Sequence, residues 1–116
     1  MLIKMETGGN SGGDSITDSF TTAVSQTISL PFEPSLVVVD ITCATANRHN
    51  LYYWTADNNQ TFVATNYKSA GTSATQLNCY NSTAGGIKKV ANGFSLDIII
   101  SQAEEVNRPA VYYALA

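Results

Sequence analysis

A chain of 116 residues with a hydrophobic fraction of 44% is long enough for one core and too short for two, so a single domain is expected. Only 13% of its residues are charged, against roughly 25% in ordinary soluble domains, and Ser, Thr, Asn and Gly take their place. A net charge of −3 and a pI near 4.8 argue against nucleic acid as a partner, and no apolar run approaches the ~20 residues of a membrane span, so membrane insertion is not expected either.

The chain begins Met1-Leu2-Ile3-Lys4-Met5-Glu6, which lacks the long apolar stretch of a signal peptide, so synthesis in a cytoplasm without Sec export is expected. Residues 7–15 read TGGNSGGDS. Gly8, Gly9, Gly12, Gly13 and their small polar neighbours bury too little area to order themselves, and such a segment orders when a neighbour holds it. Residues 1–19 are therefore expected to form an arm that docks on a neighbouring subunit, with the folded domain spanning 20–116. From Phe20 onward, short apolar segments are punctuated by turn residues about every 8 to 12 positions, the spacing of a sandwich or barrel.

Val24, Gln26, Ile28 and Leu30 share one face of a first strand. Pro31 and Pro34 then force a tight connection, because each fixes φ and removes a ladder donor. Residues 36–43, apolar apart from Asp40 and Thr42, read as a central strand covered on both faces for most of its length. Residues 50–55 oppose Leu51, Tyr53 and Thr55 to Tyr52 and Trp54, and Asp57-Asn58-Asn59 turns the chain into a hairpin partner at 61–65. A polar connection at 66–74, a weak strand at 75–80, a loop at 81–86 and a short strand at 87–90 follow. Asn92-Gly93 predicts a type I′ hairpin turn. Residues 94–101 alternate, with Phe94, Leu96, Ile98 and Ile100 on one face. Residues 102–108 are the longest charged stretch and are expected to be solvated, Glu104 and Glu105 included. A last strand places Val111, Tyr113 and Leu115 together. No segment has a 3.6-residue apolar period of helix length. The fold class is all-β, a single antiparallel β-sandwich of roughly seven to nine strands.

Three pieces of this chain, Ile28-Ser29-Leu30-Pro31-Phe32-Glu33-Pro34-Ser35-Leu36-Val37-Val38-Val39, Gly93-Phe94-Ser95-Leu96 and Val111-Tyr112-Tyr113-Ala114-Leu115-Ala116, together resemble the framework of small bacteriophage virion proteins and fibre-tip domains. In those proteins a strand runs through a Phe-x-Pro corner into a Val-rich strand, and the chain closes on Tyr-Tyr-x-Ala. The H-type lectin fold, a β-sandwich that assembles as trimers, is similar in the same order of features. The resemblance implies a trimeric component of a virion, made in the bacterial cytoplasm, whose partners are its own copies and other capsid, tail or baseplate proteins. Tyr112 and Tyr113, together with the four arm glycines, are the assembly candidates.

The signatures of catalysis are missing: there is no Gly-x-Ser-x-Gly elbow, Walker loop, His-Glu-x-x-His or dinucleotide fingerprint. His49 is the only histidine, too few for a zinc site built from it and two cysteines, and it reads as part of a polar surface loop. Cys43 and Cys79 read either as separate buried thiols or, if the fold brings them together, as a pair. Neither an enzyme nor a cofactor is expected. Binding is the stronger chemistry. Trp54, Tyr52 and Tyr67 offer apolar faces for stacking on sugar rings, and Asp57, Asn58 and Asn59 offer hydrogen bonds to hydroxyls. Recognition of a host-surface glycan is therefore the alternative to a purely structural role.

Overall fold

The structure, a computed structural model, describes residues 14–68, 75–82, 85–99 and 102–116; for 67–68 and 75–82 it describes the backbone. Gly8, Gly9, Gly12, Gly13 and the side chains of Tyr67 and Cys79 lie outside the described residues.

Nine strands among the described residues form two antiparallel sheets: β1 Ser15–Thr21, β2 Ser25–Ser29, β3 Leu36–Thr42, β4 Arg48–Thr55, β5 Thr61–Lys68, β6 Thr75–Ser82, β7 Gly86–Val90, β8 Gly93–Asp97 and β9 Pro109–Leu115. The larger sheet has the order β1-β9-β3-β4-β5-β6 and the smaller β2-β8-β7. They pack as a β-sandwich. Val37, Val39, Ile41, Tyr52, Trp54 and Val63 of the larger sheet meet Ile87, Phe94 and Leu96 of the smaller in one buried cluster. Buried Thr61 joins the sheets by a polar contact, its Oγ1 accepting the Ile87 N–H at 2.8 Å. Segments 28–39, 93–96 and 111–116 lie against one another: β9 pairs with β3, the Ser35 N–H donates to the Leu115 carbonyl at 2.7 Å, and the Phe94 ring meets Tyr112 at 5.4 Å. Phe32 packs against the core, and Pro34 is buried in the connection between β2 and β3.

Asparagine chemistry sets the turns. The four non-glycine residues with positive φ among those described are Asn47, Asn59, Asn92 and Asn107, the residue type whose short amide best tolerates that region.

Five details depart from the sequence reading. The sandwich begins at Ser15, inside the expected arm, because β1 pairs with β9 along its whole length from Ser15↔Leu115 to Thr21↔Pro109. The β7–β8 turn is not type I′: of its residues only Asn92 has positive φ (50°). Gly93 instead starts β8, where an added Cβ would lie 2.3 Å from the Ile28 carbonyl oxygen. β5 runs on to Lys68, through the first part of the expected connection at 66–74. β8 ends at Asp97 rather than running to Ser101, although the Ile98 N–H still donates in register to the Val24 carbonyl at 3.0 Å. Residues 102–108 hold a four-residue helix, α1 Gln102–Glu105, and Glu105 is fully buried rather than solvated.

Candidate functional site

Strand alternation gives the larger sheet an inner face, buried against the smaller sheet, and an outer face with nothing packed on it among the described residues. β3 is therefore not covered on both sides: Val37, Val39 and Ile41 are buried, while Leu36, Val38, Asp40 and Thr42 are half-buried by neighbours in their own sheet.

Register assembles the outer face row by row. One row runs Thr17, Tyr113, Val38, Tyr53, Phe62 across β1, β9, β3, β4 and β5. Beside it runs Ser19, Val111, Asp40, Leu51, Ala64, and on the other flank Ser15, Leu115, Leu36, Thr55. Tyr53 is 52% exposed, Phe62 and Val111 45% and Tyr113 37%. Those four and Val24 are all the exposed large hydrophobic residues among those described, so the exposed apolar surface is concentrated rather than scattered. Singly exposed apolar residues are ordinary, but a contiguous patch marks an interaction surface.

The far end of the same face is polar, with Thr21, Thr42, His49 and Asn66. His49 is in β4 rather than in a loop, and its Nδ1 lies 3.0 Å from Asp40 Oδ1. A shallow groove of about 580 Å³ is lined here by Ser19, Thr21, Asp40, Thr42, Asn107 and Val111, among others.

The residues singled out from the sequence divide between the two faces. Tyr113 is on the open face, whereas Tyr112 points inward between Phe20 and Phe94, and burial, with a smaller contribution from Asp18, pushes its phenol above the ordinary value. Trp54 is 1% exposed and Tyr52 is fully buried, so neither presents a ring for stacking on a sugar. The Trp54 indole N–H is taken up by Asn59 Oδ1 at 3.2 Å. Asp57, Asn58 and Asn59 are exposed in the β4–β5 turn. The cleft beside that turn, about 380 Å³, is lined by Trp54, Ala56, Asn59, Lys88 and Lys89. Lys88 and Lys89 lie on β7, and Lys89 reaches to 3.5 Å from Glu33. The sequence reading missed Val38, Leu51 and Phe62 as part of a site; their signal, apolar residues on both faces of β3, β4 and β5, reads equally as double burial.

Glu104, Glu105 and Arg108, away from this face, close one end of the sandwich. Glu105 Oε2 accepts from the Asn50 amide at 2.9 Å and Oε1 from the Tyr52 hydroxyl at 3.0 Å. That hydroxyl accepts the Ile99 N–H, also at 3.0 Å. Buried Thr22 donates to the Glu105 carbonyl and accepts from the Arg108 N–H at 2.9 Å, and Arg108 Nε donates to the Thr42 carbonyl at 3.0 Å. Glu104 accepts from Thr45 and lies 3.7 Å from Arg48. Cys43 is a free, buried thiol whose pKa is pushed up to about 11, first by burial and then by Glu105 and Glu104. It is held as the unreactive thiol at neutral pH.

Comparison with protein-family models, with curated proteins and with solved structures finds no match to this chain.

Proposed function

We propose that this protein is a non-enzymatic structural component of a bacteriophage virion that decorates or completes the capsid or tail surface and works as a trimer. The observation that carries this reading is the open face of the larger sheet, where four exposed large hydrophobic side chains on β9, β4 and β5 flank half-buried Val38 of β3. Such a face gains by being covered, at roughly 25 cal/mol per Å² of apolar surface. Three further features support it. The low charge density lets copies approach closely without strong repulsion. Glu105 and Arg108 are engaged in internal hydrogen bonds. The mutually packed framework pieces are those that resemble phage virion proteins. The test is fractionation of virions from a lysate in which the chain carries an epitope tag. Co-sedimentation with particles, in many copies each, is the expected result; a tagged chain left wholly in the soluble fraction would overturn the proposal.

The second reading, recognition of a host-surface carbohydrate, is favoured by one observation. The groove at the polar end of the same face combines Asp40, Ser19, Thr21, Thr42 and Asn107 with apolar Val111, a composition suited to a hydroxyl-rich ligand. If this reading is correct, Asp40→Ala lowers adsorption of particles to host cells while the number of copies per particle is unchanged; unaltered adsorption counts against it.

A further inference from the structure

We propose that the cleft between the β4–β5 turn and β7 is an anion-binding site that takes the phosphate or carboxylate group of a small ligand. Its lining, Trp54, Ala56, Asn59, Lys88 and Lys89, shares no residue with the open face or with the groove at its polar end.

The hydrogen-bond donors of the cleft carry the inference. Asn59 is held by two contacts: its backbone N–H donates to the Thr55 carbonyl at 2.8 Å, and its Oδ1 accepts the Trp54 indole N–H at 3.2 Å. An indole nitrogen can only donate, so the atom facing it has to be the amide oxygen. The Asn59 NH₂ is thereby left exposed, oriented, and without a partner among the described residues. Lys88 and Lys89 add two ammonium groups. Adjacent strand residues point to opposite faces, yet both reach this space because β7 is the edge strand of the smaller sheet, so the cleft beside it is reached from either face.

Charge singles out the same place. Acidic residues outnumber basic ones nine to six in this chain, yet no carboxylate is among the described residues that line the cleft. Arg108 is committed to the Thr42 and Cys43 carbonyls and Arg48 lies against Glu104. Lys88 makes no ion pair or hydrogen bond among the described residues, and Lys89 meets Glu33 at 3.5 Å, with both side chains about half exposed. An ion pair so solvated is weak, so Lys89 is free to turn to a ligand. Lysine on an edge strand also deters strand-to-strand aggregation, but that task needs neither a concave space nor an oriented amide beside it. Two ammonium groups and an amide NH₂ around one space of about 380 Å³ match the oxygens of a phosphate or carboxylate, which accept charge-assisted hydrogen bonds.

Trp54, the only tryptophan, reports on the site. Its emission is followed in the full chain during titration with inorganic phosphate in one arm and glucuronate in the other, at an ionic strength held constant with sodium chloride, and calorimetry repeats both arms. Saturable binding in at least one arm is the expected result, and the tighter arm identifies the group. Lys88→Gln and Lys89→Gln are each expected to weaken it at least ~5-fold, the scale of one solvated charge-assisted contact. Glu33→Gln releases Lys89 and is expected to tighten binding. Asp18→Asn makes the same change of net charge on β1 and is expected to leave the affinity unaltered. Absence of saturation in both arms, by emission and by calorimetry, would overturn the proposal, as would equal affinity in the parent and both lysine variants. Lysine variants that self-associate, beside a parent with no saturable binding, would overturn it too and leave the two side chains as guards of the sheet edge.

Discussion

Glu105 is a buried carboxylic side chain at one end of the sandwich, and truncating it tests how that end is closed. It is 0% exposed, and both carboxylate oxygens accept hydrogen bonds: Oε2 from Asn50 and Oε1 from Tyr52. The Tyr52 hydroxyl already accepts the Ile99 N–H, which directs its own proton at Glu105. Glu105→Ala leaves both donors without their acceptor in a buried site, at about 1–3 kcal/mol each. It also opens a cavity, so about 3–5 kcal/mol is lost in all. Glu105→Gln keeps the volume and one acceptor oxygen but turns an NH₂ toward the other donor, so about 1–3 kcal/mol is lost. At roughly 4 °C per kcal/mol for a domain of this size, the Ala variant melts about 12–20 °C below the parent. Urea denaturation followed by tryptophan fluorescence measures both variants, since Trp54 is in the core. An Ala variant within 1 kcal/mol of the parent, on the scale of these costs, would refute the reasoning.

Two other perturbations probe separate parts of the molecule. Gly93→Ala places a Cβ 2.3 Å from the Ile28 carbonyl oxygen, so β2 and β8 must separate; a loss of about 1–3 kcal/mol is expected in the same urea assay, and unchanged stability would contradict the close approach. Cys43 has a folded pKa of about 11 against an ordinary 9.0, so the folded state holds its proton more tightly than the unfolded chain. Its contribution is full below about pH 9 and is lost as pH rises toward 11, by the order of 2–3 kcal/mol; Cys43→Ala is expected to flatten stability between those values, and an unaltered pH slope would rule this out.

The strands were legible where one face is buried and where turn chemistry is strong. β3 and β9 coincide with their apolar patterns to within a residue at either end, and the Asp57-Asn58-Asn59 turn follows from residues that accept positive φ. β1 was hidden because its residues are mostly Ser, Thr and Asp: at the edge of the sheet only Ile16 and Phe20 are half-buried, too few to show an alternation. Glu105 was misread because adjacent carboxylates in a polar stretch are normally both solvated. A single turn of helix places Glu104 near Arg48 and Thr45 while sending Glu105 under the sheet to Asn50 and Tyr52. Nothing in the local pattern distinguishes the two, since the partners of Glu105 lie more than fifty residues away in sequence.

The open face was obscured for a related reason. Hydrophobic pattern reports that a side chain is apolar, and it is silent on what covers it. Leu36, Val38, Leu51, Tyr53 and Phe62 carry the same signal as Val37, Val39, Tyr52, Trp54 and Val63, and a strand apolar on both faces is ordinarily buried on both. Topology separates them. The smaller sheet has three strands and covers one side of a six-stranded sheet, so the same strands that build the core with one set of side chains present the other set to solvent. A second layer on that side would explain the pattern fully, and the chain's own smaller sheet is already committed to the inner face. The apolar content of β3, β4 and β5 therefore exceeds what the core between the two sheets uses.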